Sequence, residues 1–196
     1  MDIKSLTEII RLVREKEPFR RIIIFGSTSL LASVPDEVAA ALGIEMTLDT
    51  DLFLDPDDAE IRMSLDKLFG EDHTYHRETG YYADFVDLRL SENFPTGWMD
   101  RLVPFSQLKN VFALSPVDAA VTKLMATAHS RLLKRLGRCS TDRGSKDIST
   151  IVAIIQSGYA TIDAIQKLLD TVDLEPSMLV ESAAVMTQIE HQLGGA

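Results

Sequence analysis

Asp49 and Asp51 stand two residues apart in the apolar run TLDTDLFLD at 47–55. Residues i and i+2 of a strand project from the same face, so the two carboxylates would lie side by side. Two adjacent anions repel unless a cation lies between them, and a hard divalent ion that takes oxygen ligands, Mg²⁺ above all, answers that need. Upstream, IIIFGSTSL at 22–30 carries a β-branched run into a Gly26-Ser27 turn. If that turn opens a helix, its first N–H groups are offered to an anion such as a phosphate. Metal and phosphate together read as chemistry on a nucleotide.

A third carboxylate is available in YYADFVDLRL at 81–90. Asp84 and Asp87 differ in parity, so a regular strand sends them to opposite faces: one joins the pair, and the other is exposed or ion-paired. Three carboxylates on two neighbouring strands can hold two Mg²⁺ ions for phosphoryl transfer. Asp55, Asp57 and Asp58 suit turns and a helix cap. The acid-rich DTDLFLDPDDAE fails as an EF-hand loop, because Phe53 and Leu54 occupy the positions that need an oxygen ligand and a glycine. His73 and His76 lie beside Glu71 and Asp72, yet His129, His191 and Cys139 are isolated, so no zinc set is completed. They read as surface histidines on a strand. There is no Walker A or G-x-S-x-G pattern, and no base is evident for a serine nucleophile in GSTS.

The elements that must position these groups follow from periodicity and punctuation. Ser5 and Glu8 form a capping-box pattern for a first helix lined by Leu6, Ile9, Ile10 and Val13. Residues 21–25 read as a buried strand. STSLLAS and DEVAAALG read as helical, with Gly43 as the stop. Residues 47–54 form the second strand, and an acid-led helix then ends at Gly70. Residues 73–78 and 81–90 read as a hairpin turning at Thr79-Gly80. A boundary falls at Phe94-Pro95-Thr96-Gly97. Beyond it Ser115-Pro116 opens a helix running to about Leu136 with Gly137 as its stop, and helices follow at 146–156, 161–171 and 176–193. The expected fold class is α+β: a small mixed sheet flanked by helices over residues 1–98, then a helical domain over 99–196 that completes the cleft.

Composition sets outer bounds. The 196 residues are 45% hydrophobic and 26% charged with net charge −10, an ordinary globular balance that disfavours a general nucleic-acid coat. The charge is uneven. Residues 101–146 hold nine Lys/Arg against Asp118 and Asp142, a local +7 inside an otherwise acidic chain. A phosphate-bearing substrate would need such a segment, although a stretch like RLLKRLGR also suits a solvated helix face. No apolar run is long enough to cross a bilayer, no leader is recognisable, and the single cysteine suits a reducing compartment, so a cytoplasmic protein without membrane contact is expected.

With Gly26-Ser27, Asp49-Thr50-Asp51 and a later strand aspartate in this order, the chain resembles the nucleotidyltransferase superfamily related to DNA polymerase beta. TLDTDL at 47–52, TKLMA at 122–126 and RGSKDI at 143–148 are similar to its bacterial toxin-like, abortive-infection branch. The resemblance covers residues 20–155, and VPDEVAAALG would be an inserted helical turn. It implies that Asp49, Asp51 and Asp87, with Asp84 as the alternative, are catalytic metal ligands. It also implies that Gly26, Ser27 and Lys123 meet nucleotide phosphates, while Arg143, Lys146 and Asp147 build or brace the site. The activity implied is Mg²⁺-dependent transfer of a nucleoside monophosphate from an NTP such as ATP to a hydroxyl of RNA (tRNA included), protein or a small molecule. A toxin paired with an antitoxin fits that branch. The competing readings are a catalytically inactive binding or regulatory member of the same fold and an antibiotic-modifying adenylyltransferase.

Overall fold

The RIIIF run forms strand β1 (Arg21–Phe25), and the aspartate-bearing run forms β2 (Asp49–Asp55). β1 is rich in β-branched and aromatic residues, which fit a pleated, half-buried surface, while β2 alternates its aspartates with the buried Thr50, Leu52 and Leu54. β3 (Tyr82–Phe85), β4 (Val103–Pro104) and β5 (Val111–Ala113) complete a five-stranded sheet in the order β3-β2-β1-β5-β4. Pairing is mixed: β1/β2 and β4/β5 are antiparallel, while β1/β5 and β2/β3 are parallel. This is the expected mixed sheet flanked by helices and followed by C-terminal helices.

The computed structural model describes residues 1–41, 47–138 and 144–195. They divide into two units, Met1–Glu92 with Gly97–Ser115, and Asn93–Thr96 with Pro116–Ala196. Residues past the 94–97 turn thus still add β4 and β5 to the sheet. Gly43, expected to stop a helix, lies outside the described residues.

In the first unit, helix α1 (Ile3–Lys16) buries Leu6, Ile9, Ile10 and Val13, the stripe its periodicity predicts. Its cap differs from expectation. The Asp2 carboxylate, not Ser5, accepts from the Ser5 N–H at 2.8 Å, and Glu8 is drawn to Arg11. A charged acceptor one turn earlier caps the positive helix end at least as well as a hydroxyl. The short helices α2 (Thr28–Ser33) and α3 (Asp36–Ala41) follow β1. Helix α4 (Ala59–Phe69) is capped by Asp58, whose carboxylate accepts from the Glu60 and Ile61 N–H groups.

The hairpin expected at 73–90 is not formed. Residues Thr74–Thr79 are helix α5, closed by Gly80 in the left-handed region at φ +77° with its N–H on the His76 carbonyl. The Thr79-Gly80 pair serves a helix C-terminus rather than a turn between strands. Topology explains the difference. β3 runs parallel to β2, and a parallel neighbour is reached only by a crossover, here α4 and α5. His73 and His76 accordingly lie at and within a helix. The His76 ring packs on Tyr82 at 4.9 Å, and Tyr75 on Phe69 at 5.7 Å.

In the second unit α6 (Pro116–Arg135) packs against α7 (Gly144–Gln156), α8 (Ile162–Leu169) and α9 (Pro176–Gly194). Gly137 at φ +68° and the Arg138 N–H on the Leu133 carbonyl finish α6 as its sequence suggested. Part of the basic stretch is spent internally, since Arg135 pairs with Glu181 at 3.0 Å and Arg131 donates to Gln188.

The first unit's core turns on Phe53, fully buried, stacked on Phe25 at 4.0 Å and set against Trp98 at 6.1 Å. Phe53→Ala is expected to destabilise the protein by about 3–5 kcal/mol, read from urea unfolding.

Candidate functional site

Register decides which side chains meet. Along β2 the residues Asp49, Asp51, Phe53 and Asp55 share one face, and Thr50, Leu52 and Leu54 share the other. The second set is fully buried. On the first face Asp55 is matched by Arg21 at 3.0 Å, and Phe53 lies under Phe25. Asp49 and Asp51 follow on the same face.

β3 brings the third carboxylate. Its parallel register pairs Asp49 with Tyr82 and Asp51 with Asp84, so Asp84 projects beside the β2 pair. One oxygen from each of Asp49, Asp51 and Asp84 lies within 4.8 Å of the others, all three residues being half-buried. Opposed oxygens on a single hard cation are about 4–5 Å apart, twice the metal–oxygen distance, so the three residues fit one such ion with little adjustment. They form the one such group among the described residues.

Burial and like charge act together on the ionisable groups here. Asp84 is raised above the ordinary carboxylate value, first by burial and then by the charges of Asp49, Asp66 and Glu71. The Tyr82 phenol is raised for the same reasons, burial first and then Asp49, Glu71, Asp84 and Asp51.

Asp87, the leading candidate from the sequence, is elsewhere. β3 ends at Phe85, so strand parity no longer applies three residues past Asp84. Arg89 donates to the Asp87 carboxylate at 2.6 Å and Arg62 does so at 3.3 Å. These contacts, Arg89's side chain and backbone N–H above all, hold Asp87 well below the usual carboxylate range. Arg62 also reaches Asp57 at 3.3 Å, which ties the start of α4 to the chain leaving β3.

Gly26 follows Phe25, the residue paired with Asp51, and turns at φ +65°. A Cβ there would overlap Asp51 Oδ2 and come within 3.2 Å of its Cγ. Glycine is therefore required twice, for the backbone angle and for the carboxylate lying against it. Ser27 opens α2, and Ser29 Oγ donates to the Gly26 carbonyl at 2.8 Å.

The remaining candidates lie in the second unit. Lys123 is only 8% exposed, and its Nζ meets Asp147 Oδ1 at 2.9 Å between α6 and α7. Lys146 is exposed in the first turn of α7. Arg143 lies outside the described residues. No helix of the described residues is long and apolar enough to cross a membrane.

Residues 2–131 match a family model described as "Nucleotidyltransferase of unknown function (DUF6036)". No curated protein and no solved structure matches the chain.

Two outcomes follow from this geometry. Gly26→Ala is expected to lower stability by about 1–2 kcal/mol through the left-handed backbone alone, with more from the displaced Asp51 carboxylate, measured by chemical denaturation. Asp87 is depressed in the folded state, so its stabilising share is present above the ordinary Asp value and lost as pH falls through the folded value. Asp87→Asn should therefore melt below the wild type at neutral pH, and the two melting curves should converge in acid.

Proposed function

Because the chain belongs to this family of nucleotidyltransferases, we propose that it catalyses Mg²⁺-dependent transfer of a nucleoside monophosphate from an NTP to a hydroxyl of RNA, protein or a small molecule. The observation that carries the reading is the meeting of Asp49, Asp51 and Asp84, whose ligand oxygens lie within 4.8 Å. Divalent ions held by those carboxylates would neutralise the triphosphate and favour ionisation of the acceptor hydroxyl.

The chain's own part is positioning and electrostatics. Asp49 and Asp51 are fixed by β2, and Asp84 by its register against Asp51. On this reading Asp84, the alternative under the resemblance, serves as the third carboxylate in place of Asp87. The Gly26-Ser27 turn, lying against Asp51, is suited to the phosphates. Lys123, Lys146 and Arg143 enter through the resemblance alone, as cations for those phosphates or as braces. Placement in a toxin-like branch with an antitoxin partner rests on the TLDTDL, TKLMA and RGSKDI likenesses.

The test is incorporation of each of four labelled NTPs into total tRNA, lysate protein and the protein itself. Label is expected in one acceptor class with Mg²⁺ and none with EDTA. Asp51→Asn should reduce it by about 10²-fold or more, Asp84→Asn should do the same, and Asp87→Asn should leave it largely intact. Wild-type incorporation by Asp51→Asn would overturn the reading. Metal-independent NTP binding without incorporation would favour a non-catalytic binding protein.

A further inference from the structure

Thr50 lies between Asp49 and Asp51 in sequence but on the opposite face of β2, fully buried. Its hydroxyl lies 2.9 Å from that of Thr28, which is 1% exposed in the first turn of α2. The Thr28 hydroxyl also reaches the carbonyl of Phe25, the residue just before Gly26, at 3.4 Å. Three points of the site are thus joined through its buried side: the middle of the D-x-D segment, the end of β1, and the helix leaving the Gly-Ser turn. Around this pair the sheet is aliphatic, with Ile24, Leu52 and Ala83 fully buried. Apolar neighbours would pack equally well against valine, so packing alone does not call for two facing hydroxyls at this spot. A hydroxyl pair adds direction, which apolar contacts lack.

We propose that the Thr28–Thr50 hydroxyl pair is a positioning device that fixes the Gly26 turn against β2 and so sets the Asp51 carboxylate for metal binding. It rests on the metal-binding reading given above. Neither threonine belongs to the carboxylate group that would hold the ion. They act through the backbone on either side of Gly26, where a shift of a few tenths of an ångström would be felt at once by Asp51, since its carboxylate already fills the space of a Cβ. Outer groups that orient metal ligands influence affinity by about 10–100-fold when removed.

The experiment measures the dissociation constant of Mn²⁺ alone by electron paramagnetic resonance on the full chain, beside thermal melting. Thr50→Val is nearly isosteric and should weaken Mn²⁺ by about tenfold. Thr28→Val should do so equally, the double variant should lose no more than either single one, and Thr50→Ser should restore the wild-type value. Ile10→Val, a core trimming in α1, should lower the melting temperature while leaving Mn²⁺ affinity unchanged. If wild type binds Mn²⁺ and Thr50→Val binds it equally, or if Ile10→Val weakens Mn²⁺ as much as Thr50→Val, the positioning role is overturned. If wild type itself fails to bind Mn²⁺, the metal reading falls instead.

Discussion

The contact of the Asp51 carboxylate with the bare Cα of Gly26 is the constraint on which the candidate site depends. It forces glycine where the chain leaves β1, and the left-handed angle there turns the backbone into α2. It also requires β1 and β2 to keep one register, Phe25 against Asp51, because a slip of one residue would send Asp51 to the aliphatic face. Ile22, Ile24, Leu52 and Leu54 enforce that register by burial, so ordinary hydrophobic packing holds a close polar contact in place.

The same sheet also gathers carboxylates. Asp55 has Arg21, and Asp87 has Arg62 and Arg89, as carboxylates near a protein surface ordinarily find partners. Asp49, Asp51 and Asp84 are set beside one another, and burial together with the charges of Asp49, Asp66 and Glu71 raises Asp84. A cation held there, as proposed, would offset like charge gathered at one place.

Much of this was legible in the residues. The Asp49/Asp51 pair, the Gly26 turn, the Asp58 cap, the α1 stripe and the four C-terminal helices all rest on short-range pattern, where spacing and chemistry agree. Parity separated Asp84 from Asp87 only on the premise of one strand running through both, and β3 ends at Phe85. It could not choose between them, because the choice depends on where β3 stops and how it registers on β2, a contact more than thirty positions away in sequence. Thr79-Gly80 misled for a related reason: glycine in the left-handed region ends a helix as readily as it turns a hairpin, and only the parallel pairing of β2 and β3 decides. The Thr28–Thr50 pair left no sequence signal, since two threonines in apolar runs look like ordinary strand and helix residues.

β3 has one further consequence. It is a four-residue strand at the border of the sheet, paired on one side only among the described residues, whereas β1 and β2 are paired on both. Local opening free energies are lowest at such borders. The third carboxylate therefore belongs to a border segment, expected to open more readily than the interior strand that carries Asp49 and Asp51. Amide exchange along the chain would divide the candidate site into a slow pair and a fast single member, with the Arg62–Asp87 tie as the restraint on how often the fast one leaves.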